Sequence, residues 1–222
     1  ATFRMSVASA QVKSAILFAG LYAKNLTTVI EQIKTRDHTE RMLKLFKADI
    51  KLKQNKILIR GRRELVSPGE IALPGDMSSA SFFIVLASIL PNSEILIKNV
   101  NLNPSRAGII KVLKRMGADI KIQKLKNQNY EPMGDLVVKS STLKGTVIRG
   151  DEVPSLIDEL PILMVAASCA RGNSAFEGIS ELRVKETDRI KSMSENLKKM
   201  GARVRVYKDQ NKDKLVIKGV AE

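Results

Sequence analysis

Apolar positions recur in two registers along the chain. From Thr187 to Met200, Ile190, Met193, Leu197 and Met200 return every three or four residues with Lys191, Glu195, Lys198 and Lys199 between them, the spacing of a helix with one buried face. Short runs at Ile57–Ile59, Ile95–Ile97 and Leu215–Lys218 read instead as strands with one face turned inward. Three segments pass from small polar residues into a helix that is apolar throughout: Ser9–Tyr22, Ser78–Leu90 and Asp158–Ala170. Each is followed by an amphipathic helix, at Asp37–Phe46, Ser105–Met116 and Thr187–Met200, and then by a strand that opens on alanine, at Ala48–Leu52, Ala118–Ile122 and Ala202–Val206. Gly117 and Gly201 follow the second and third amphipathic helices, where a left-handed residue closes a helix at little cost; the first has Lys47 there, which predicts a weaker cap.

The pattern is an internal repeat of a strand-helix-strand-helix-strand-strand unit with loops of variable length. It predicts an α/β architecture in which the two helices of each unit cover one side of a mixed sheet. Pro and Gly punctuate the chain at Ser67-Pro68-Gly69 and Leu73-Pro74-Gly75-Asp76, so a domain junction is expected near Leu73, dividing the chain into 1–72 and 73–222.

Composition narrows the function classes. The 222 residues are 44% hydrophobic and 27% charged, the balance of a globular protein. No apolar run is long enough to cross a bilayer and Ala1–Ser6 lacks a signal-peptide layout, which points to a cytoplasmic protein without a membrane partner. A single cysteine, Cys169, excludes an internal disulfide and is expected to be a small buried hydrophobe. With His38 as the sole histidine, no conventional zinc site is expected, and nothing suggests a metal or cofactor. The net charge of +15 is spread over lysines along the whole chain, without a basic aromatic patch, so no nucleic-acid partner is expected; it favours a site for small polyanions.

The apolar helices begin at Ser9-Ala10-Gln11, Asp76-Met77-Ser78-Ser79 and Asp158-Glu159. Helix amino termini present unpaired amides to phosphate or carboxylate groups, although Ser and Asp at such positions also serve simply as caps. Two charged stretches enter amphipathic helices: Lys34-Thr35-Arg36-Asp37-His38-Thr39-Glu40, in which Arg36 can offer a fork to a phosphate, and Glu181 to Arg189, dense enough to hold an anion and an acid together. His38 is expected to be a helix-start or hydrogen-bonding residue.

Six ordered segments, Val7–Ala15, Thr35–Glu40, Pro74–Ala80, Asn103–Arg106, Leu156–Glu159 and Leu182–Arg189, resemble the 5-enolpyruvylshikimate-3-phosphate synthases. The resemblance implies enolpyruvyl transferase-like repeats of a βαβαββ unit in two domains with an interdomain cleft. Residues 1–72 would form the later part of the first, shikimate 3-phosphate-side domain, and 73–222 most of the second, phosphoenolpyruvate-side domain. It further implies transfer of the carboxyvinyl group of phosphoenolpyruvate to shikimate 3-phosphate, without cofactor, by a protein that is monomeric at full length. Ser9, Ala10, Gln11 and Arg36 would hold shikimate 3-phosphate. Asp158 would contact its hydroxyls and take the proton of the attacking one, Lys185 would lie beside both substrates, Glu186 would handle the proton at the methylene carbon, and Arg189 would grip phosphoenolpyruvate. Ala10 departs from the serine that many members carry there. Terminal segments bearing further cationic groups in complete members have no counterpart in this sequence, so little or no activity is expected of this chain alone. Two alternatives stand beside this reading: a non-catalytic anion-binding module, and a relative of the UDP-N-acetylglucosamine enolpyruvyl transferases, which use a reactive loop cysteine.

Overall fold

The computed structural model describes residues 1–208 and 213–220. Its residues gather into two compact units, 1–74 with 126–132, and 75–125 with 133–222. The repeat organises both.

In the first unit β1 (Thr2–Arg4) leads through α1 (Ala10–Tyr22) to β2 (Leu26–Ile30), and β2 through α2 (His38–Leu45) to the hairpin β3 (Ile50–Lys53) and β4 (Lys56–Arg60). β1 lies parallel to β2, β2 antiparallel to β4 and β4 antiparallel to β3, giving the order β1-β2-β4-β3. Leu17 of α1, Leu43 of α2, and Val29, Ile57 and Ile59 of the sheet form its core. The stretch 126–132 is the tip of the hairpin made by β6 (Asp119–Gln128) and β7 (Glu131–Lys139). It groups with this unit through His38, the first residue of α2, whose Nδ1 lies 2.7 Å from Glu131 Oε1, and through Arg41, which donates to the Tyr130 carbonyl. Nothing in the hydrophobic pattern marks that excursion.

The second unit repeats the scheme twice. In one copy α3 (Met77–Ile89), β5 (Glu94–Asn101), α4 (Gly108–Arg115), β6 and β7 form a sheet ordered β5-β7-β6, and the place of the first strand is taken by a single parallel bridge between Gly75 and Val100. In the other, β8 (Val147–Ile148), α5 (Leu160–Ser168), β9 (Asn173–Glu177), α6 (Arg189–Lys199), β10 (Arg203–Tyr207) and β11 (Lys214–Lys218) give the order β10-β11-β9-β8, with β8 parallel to β9. One continuous apolar cluster joins the copies, including Ile84, Ile109, Leu113, Leu136, Leu163, Phe176 and Leu197. The apolar helices differ in how fully they are covered. α1 exposes Val12, Phe18 and Tyr22, and α3 exposes Phe82, Phe83 and Leu86, whereas α5 exposes no large apolar side chain.

Three predicted helices begin later than the pattern suggests. Asn101 and Asn103 turn their side-chain oxygens onto the amides of Asn103 and Ser105, so the chain loops through Ser105 and Arg106 before α4 starts at Gly108. Asp158 and Glu159 lie in the turn that follows a 3-10 turn at Val153–Ser155, and α5 starts at Leu160 with Pro161 in its first turn. Asp188 accepts from the Lys191 amide at 3.0 Å and thereby sets the start of α6 at Arg189. Met200, expected on the buried face of α6, is 83% exposed because the helix ends at Lys199 and the chain turns away. Cys169 caps the carboxyl end of α5 and is only half-buried.

The amphipathic helices close identically. The amides of Lys47, Gly117 and Gly201 reach the carbonyls of Lys44, Lys114 and Lys198, and those of Ala48, Ala118 and Ala202 reach Leu43, Leu113 and Leu197, which is the Schellman pattern. It requires a left-handed residue, and φ is 58° at Lys47, 95° at Gly117 and 90° at Gly201. Gly201→Ala is therefore expected to lower stability by about 1 kcal/mol through backbone strain alone, because its Cβ would meet nothing within 4 Å. Lys47→Gly is expected to raise stability by up to about 1 kcal/mol. Urea unfolding reads both, and an unchanged midpoint for Gly201→Ala would refute the role given to the cap.

Candidate active site

In every copy of the repeat, the residues singled out by the sequence lie in the two connections that leave the first and second strands and enter helices. In α/β sheets these carboxyl ends of strands are where ligand-binding loops collect. Ser9 to Gln11 and Arg36 occupy the two connections of the first copy, Asp76 to Ser79 and Arg106 those of the second, and Asp158 with Lys185 to Arg189 those of the third.

In the first unit, Ser9 is the N-cap of α1, its Oγ accepting from the Val12 amide at 3.3 Å; Ala10 and the exposed Gln11 are the first two helical residues. Arg36 is half-buried in the loop before α2. Beneath them lies an ionic hub. Lys13 of α1 is fully buried, its Nζ 2.7 Å from Glu40 of α2 and 3.1 Å from Glu31 at the end of β2, ionic contacts rather than well-directed hydrogen bonds. Glu31 Oε1 also accepts from the Thr35 amide at 3.1 Å and the Thr35 hydroxyl at 2.6 Å, and Ser14 of α1 meets Thr39 of α2 through their hydroxyls at 2.6 Å. One buried cation thus ties the start of α1 to the turn that presents Arg36.

In the second unit the centre is Asp158. Its Oδ2 accepts from Arg106 Nη1 at 3.0 Å and its Oδ1 from Arg189 Nη1 at 3.4 Å. Arg189 Nη2 holds Glu186 Oε2 at 2.7 Å. Arg106 Nη2 also reaches Asp76 Oδ1 and the Ser78 hydroxyl, and Ser78 in turn donates to Glu159 Oε1. Asp76 caps α3 by accepting from the Ser79 amide at 2.9 Å. Lys185 does not join this cluster in the structure: its Nζ pairs with Glu181 at 2.7 Å. Arg183 ties the segment down, its Nε and Nη2 gripping both oxygens of Asp213 and its Nη1 reaching Asp188.

The carboxyl groups are not equivalent. Burial pushes Glu159 above the usual carboxylate range against the pull of Ser78 and Arg106, and its Oε2 is buried without a hydrogen-bond partner among the described residues. Partial burial pushes Asp76 upward too, but the Ser79 amide, the Ser79 hydroxyl and Arg106 together hold it below that range. Glu186 is held low by its own backbone amide and then by Arg189. Among the described residues no group of three or more His, Cys, Asp or Glu could hold a metal ion, and no helix is long and apolar enough to cross a membrane.

The structure therefore links Asp158 and Glu186 through Arg189, and places Ser9, Ala10 and Gln11 at the start of the helix that carries Lys13 and Arg36 in the loop that follows Glu31. Sequence reasoning placed Ser78 and Glu159 only at helix starts suited to anions or caps, and quoted Arg106 within a motif without giving it a role of its own. The available signal was positional, since Arg106 stands in the same connection of its copy as Arg36 does in the first.

Lys13→Met would leave two buried carboxylates without their cation and is expected to destabilise the fold by about 3–5 kcal/mol at neutral pH. Burial raises Glu40 above the ordinary carboxylate value, so the folded state holds its proton more tightly; the favourable contribution is complete below the unfolded pKa and is lost as pH rises through the folded one. The penalty of Lys13→Met should consequently shrink as pH falls toward the acid range, and unfolding at several pH values measures it. A pH-independent penalty would show that charge is not its cause.

The sequence matches the EPSP synthase (3-phosphoshikimate 1-carboxyvinyltransferase) family over residues 1–221. It is 57% identical over 90% of its length to the 3-phosphoshikimate 1-carboxyvinyltransferase of Petrotoga mobilis and 48% identical over 93% to that of Bacillus licheniformis, covering 46% and 48% of those proteins. The chain thus spans about half the length of the curated relatives it matches. The EPSP synthase structure of Acinetobacter baumannii superposes on all of it with a TM-score of 0.89 at 43% identity, covering 49% of that chain. The enolpyruvyl transferase NikO of Streptomyces tendae superposes on 98% of it, and on 50% of that chain, with a TM-score of 0.71 at 16% identity, a likeness of fold alone.

Proposed function

This chain belongs to the EPSP synthase family, and from that premise we propose that the protein of which it forms part transfers the carboxyvinyl group of phosphoenolpyruvate to the 5-hydroxyl of shikimate 3-phosphate and releases inorganic phosphate. The observation that carries the reading is Asp158, a carboxylate with an arginine on each oxygen, beside a second carboxylate, Glu186, that shares one of those arginines.

In this reading the 5-hydroxyl oxygen attacks C2 of phosphoenolpyruvate and gives its proton to Asp158, while C3 takes a proton from Glu186. The adduct then collapses: Glu186 recovers a proton from C3, the C2–O bond to phosphate breaks, and phosphate departs with the proton held by Asp158. No covalent intermediate with the protein is needed. Glu186 must be protonated to begin, and its own backbone amide and then its pairing with Arg189 oppose that. Movement of Arg189 onto the carboxylate or phosphate of phosphoenolpyruvate removes the second of these contacts, so donor binding favours formation of the acid. Lys185 and Arg189 balance the donor's negative charge, and Ser9, Gln11 and Arg36, with Ala10 between, hold shikimate 3-phosphate by hydrogen bonds and by a fork to its phosphate.

Residues 1–72 are assigned on this basis to the later part of the domain that binds shikimate 3-phosphate and 73–222 to most of the domain that binds phosphoenolpyruvate. Action in the cytoplasm, without a nucleic-acid or membrane partner, accords with a free cysteine and scattered lysines. The UDP-sugar alternative is not favoured: the relatives named above are 3-phosphoshikimate 1-carboxyvinyltransferases, and Cys169 stands at the far end of α5 from Asp158.

The test is phosphate release on mixing the two substrates with a protein of the relatives' full length that contains this chain. Asp158→Asn is expected to lower kcat about 10²- to 10⁴-fold, the range of a lost general base, and Arg189→Met to act mainly on KM for phosphoenolpyruvate. A folded protein that binds both anions and releases no phosphate would leave the anion-binding alternative in place of the enzyme.

A further inference from the structure

Arg106 sits at the middle of the Asp158 cluster and takes no part in the chemistry above. Its place is built with care. Asn103 is fully buried; its Oδ1 accepts from the Ser105 amide at 2.9 Å and the Ser105 hydroxyl at 2.8 Å, and its carbonyl accepts from the amides of Arg106 and Ala107, both at 2.8 Å. The Arg106 backbone is thus held from both sides. Its side chain, 15% exposed, spends Nη1 on Asp158 and Nη2 on Asp76 and Ser78, and Ser78 is anchored behind it by the buried Glu159.

We infer that Arg106 is a positioning residue for the transfer: by holding Oδ2 of Asp158 it keeps Oδ1 turned toward the attacking hydroxyl once Arg189 leaves for the donor. The inference rests on the function proposed above. A carboxylate that serves as a base must keep one oxygen oriented while the other is free to take a proton. Both oxygens of Asp158 are engaged here, but unequally. Arg189 makes the longer contact, 3.4 Å against 3.0 Å, and apart from Asp158 it is held, among the described residues, by Glu186, which is 77% exposed. Arg106 is held by Asp76 and by Ser78 as well as by Asp158, so an incoming anion would have to break three contacts to displace it. When a donor anion competes, Arg189 is the one that goes. Arg106 then remains on Oδ2 of Asp158, and rotation about its carboxylate axis is checked. Ser78 and Glu159 act one step further out, by fixing the plane of the Arg106 guanidinium.

The test uses a protein of full length that contains the chain. Arg106→Ala should lower kcat about 10²-fold, the loss expected when a reacting group is misplaced by about an ångström, while the dissociation constants of both substrates, measured by equilibrium binding, stay within about threefold. Arg106→Lys, which keeps the charge and loses the fork, should recover part of the rate. Added guanidinium ion, below denaturing concentration, should restore part of the rate to Arg106→Ala and none to Asp158→Asn. Turnover by Arg106→Ala within about threefold of the parent would overturn the inference and leave the transferase reading intact. So would a loss that neither lysine nor guanidinium relieves and that tracks a fall in melting temperature, since that is the signature of scaffold alone. A parent protein with no turnover would instead remove the reading on which the inference rests, and the inference with it.

Discussion

A helix that is apolar on every side gains most from being surrounded, and in the second unit α5 is covered throughout while α3 leaves only Phe82, Phe83 and Leu86 exposed among its large apolar side chains. α3 and α5 have nothing polar to turn toward water along most of their length, and a single strand-helix-strand copy covers only one flank of such a helix. Setting two copies side by side lets α3 pack on α5 and α5 on α6, and the apolar side chains of both copies merge into one cluster from Met77 to Ile217. With the helices so fixed, the loops that enter them are fixed at their bases. The chemistry of the unit is placed by the packing of its least chemical residues.

The same constraint explains which features were legible in the sequence. Hydrophobic spacing found the six α-helices of the described residues because each shows either a largely apolar run or a period matched to a buried face. The left-handed closures at Gly117 and Gly201 were visible because residue type and geometry agree there, and Lys47 adopts the same conformation against its preference because Leu43 and Ala48 on either side make the same hydrogen bond as their counterparts. The caps Ser9, Asp76 and Asp188 could be read from residue type at a helix start.

What escaped the sequence depends on reach across many residues. Arg106 meets an aspartate 52 positions away, and no local pattern announces a side chain aimed at a different copy of the repeat. Asp158 and Glu159 are neighbours of nearly equal chemistry, yet one is partly exposed between two arginines and the other is buried against Ser78. Ser105 and Arg106 read as helix because the apolar period runs through them, and the asparagine side chains that unwind the chain there compete with the helix through hydrogen bonds that periodicity does not register.

Asp158 belongs to the third copy of the repeat and Arg106 to the second. The pair forms along the seam where the two copies meet. The acid and the cation that steadies it are therefore supplied by two separate loops, so a shift in either copy of the repeat is transmitted directly to the chemistry of the other.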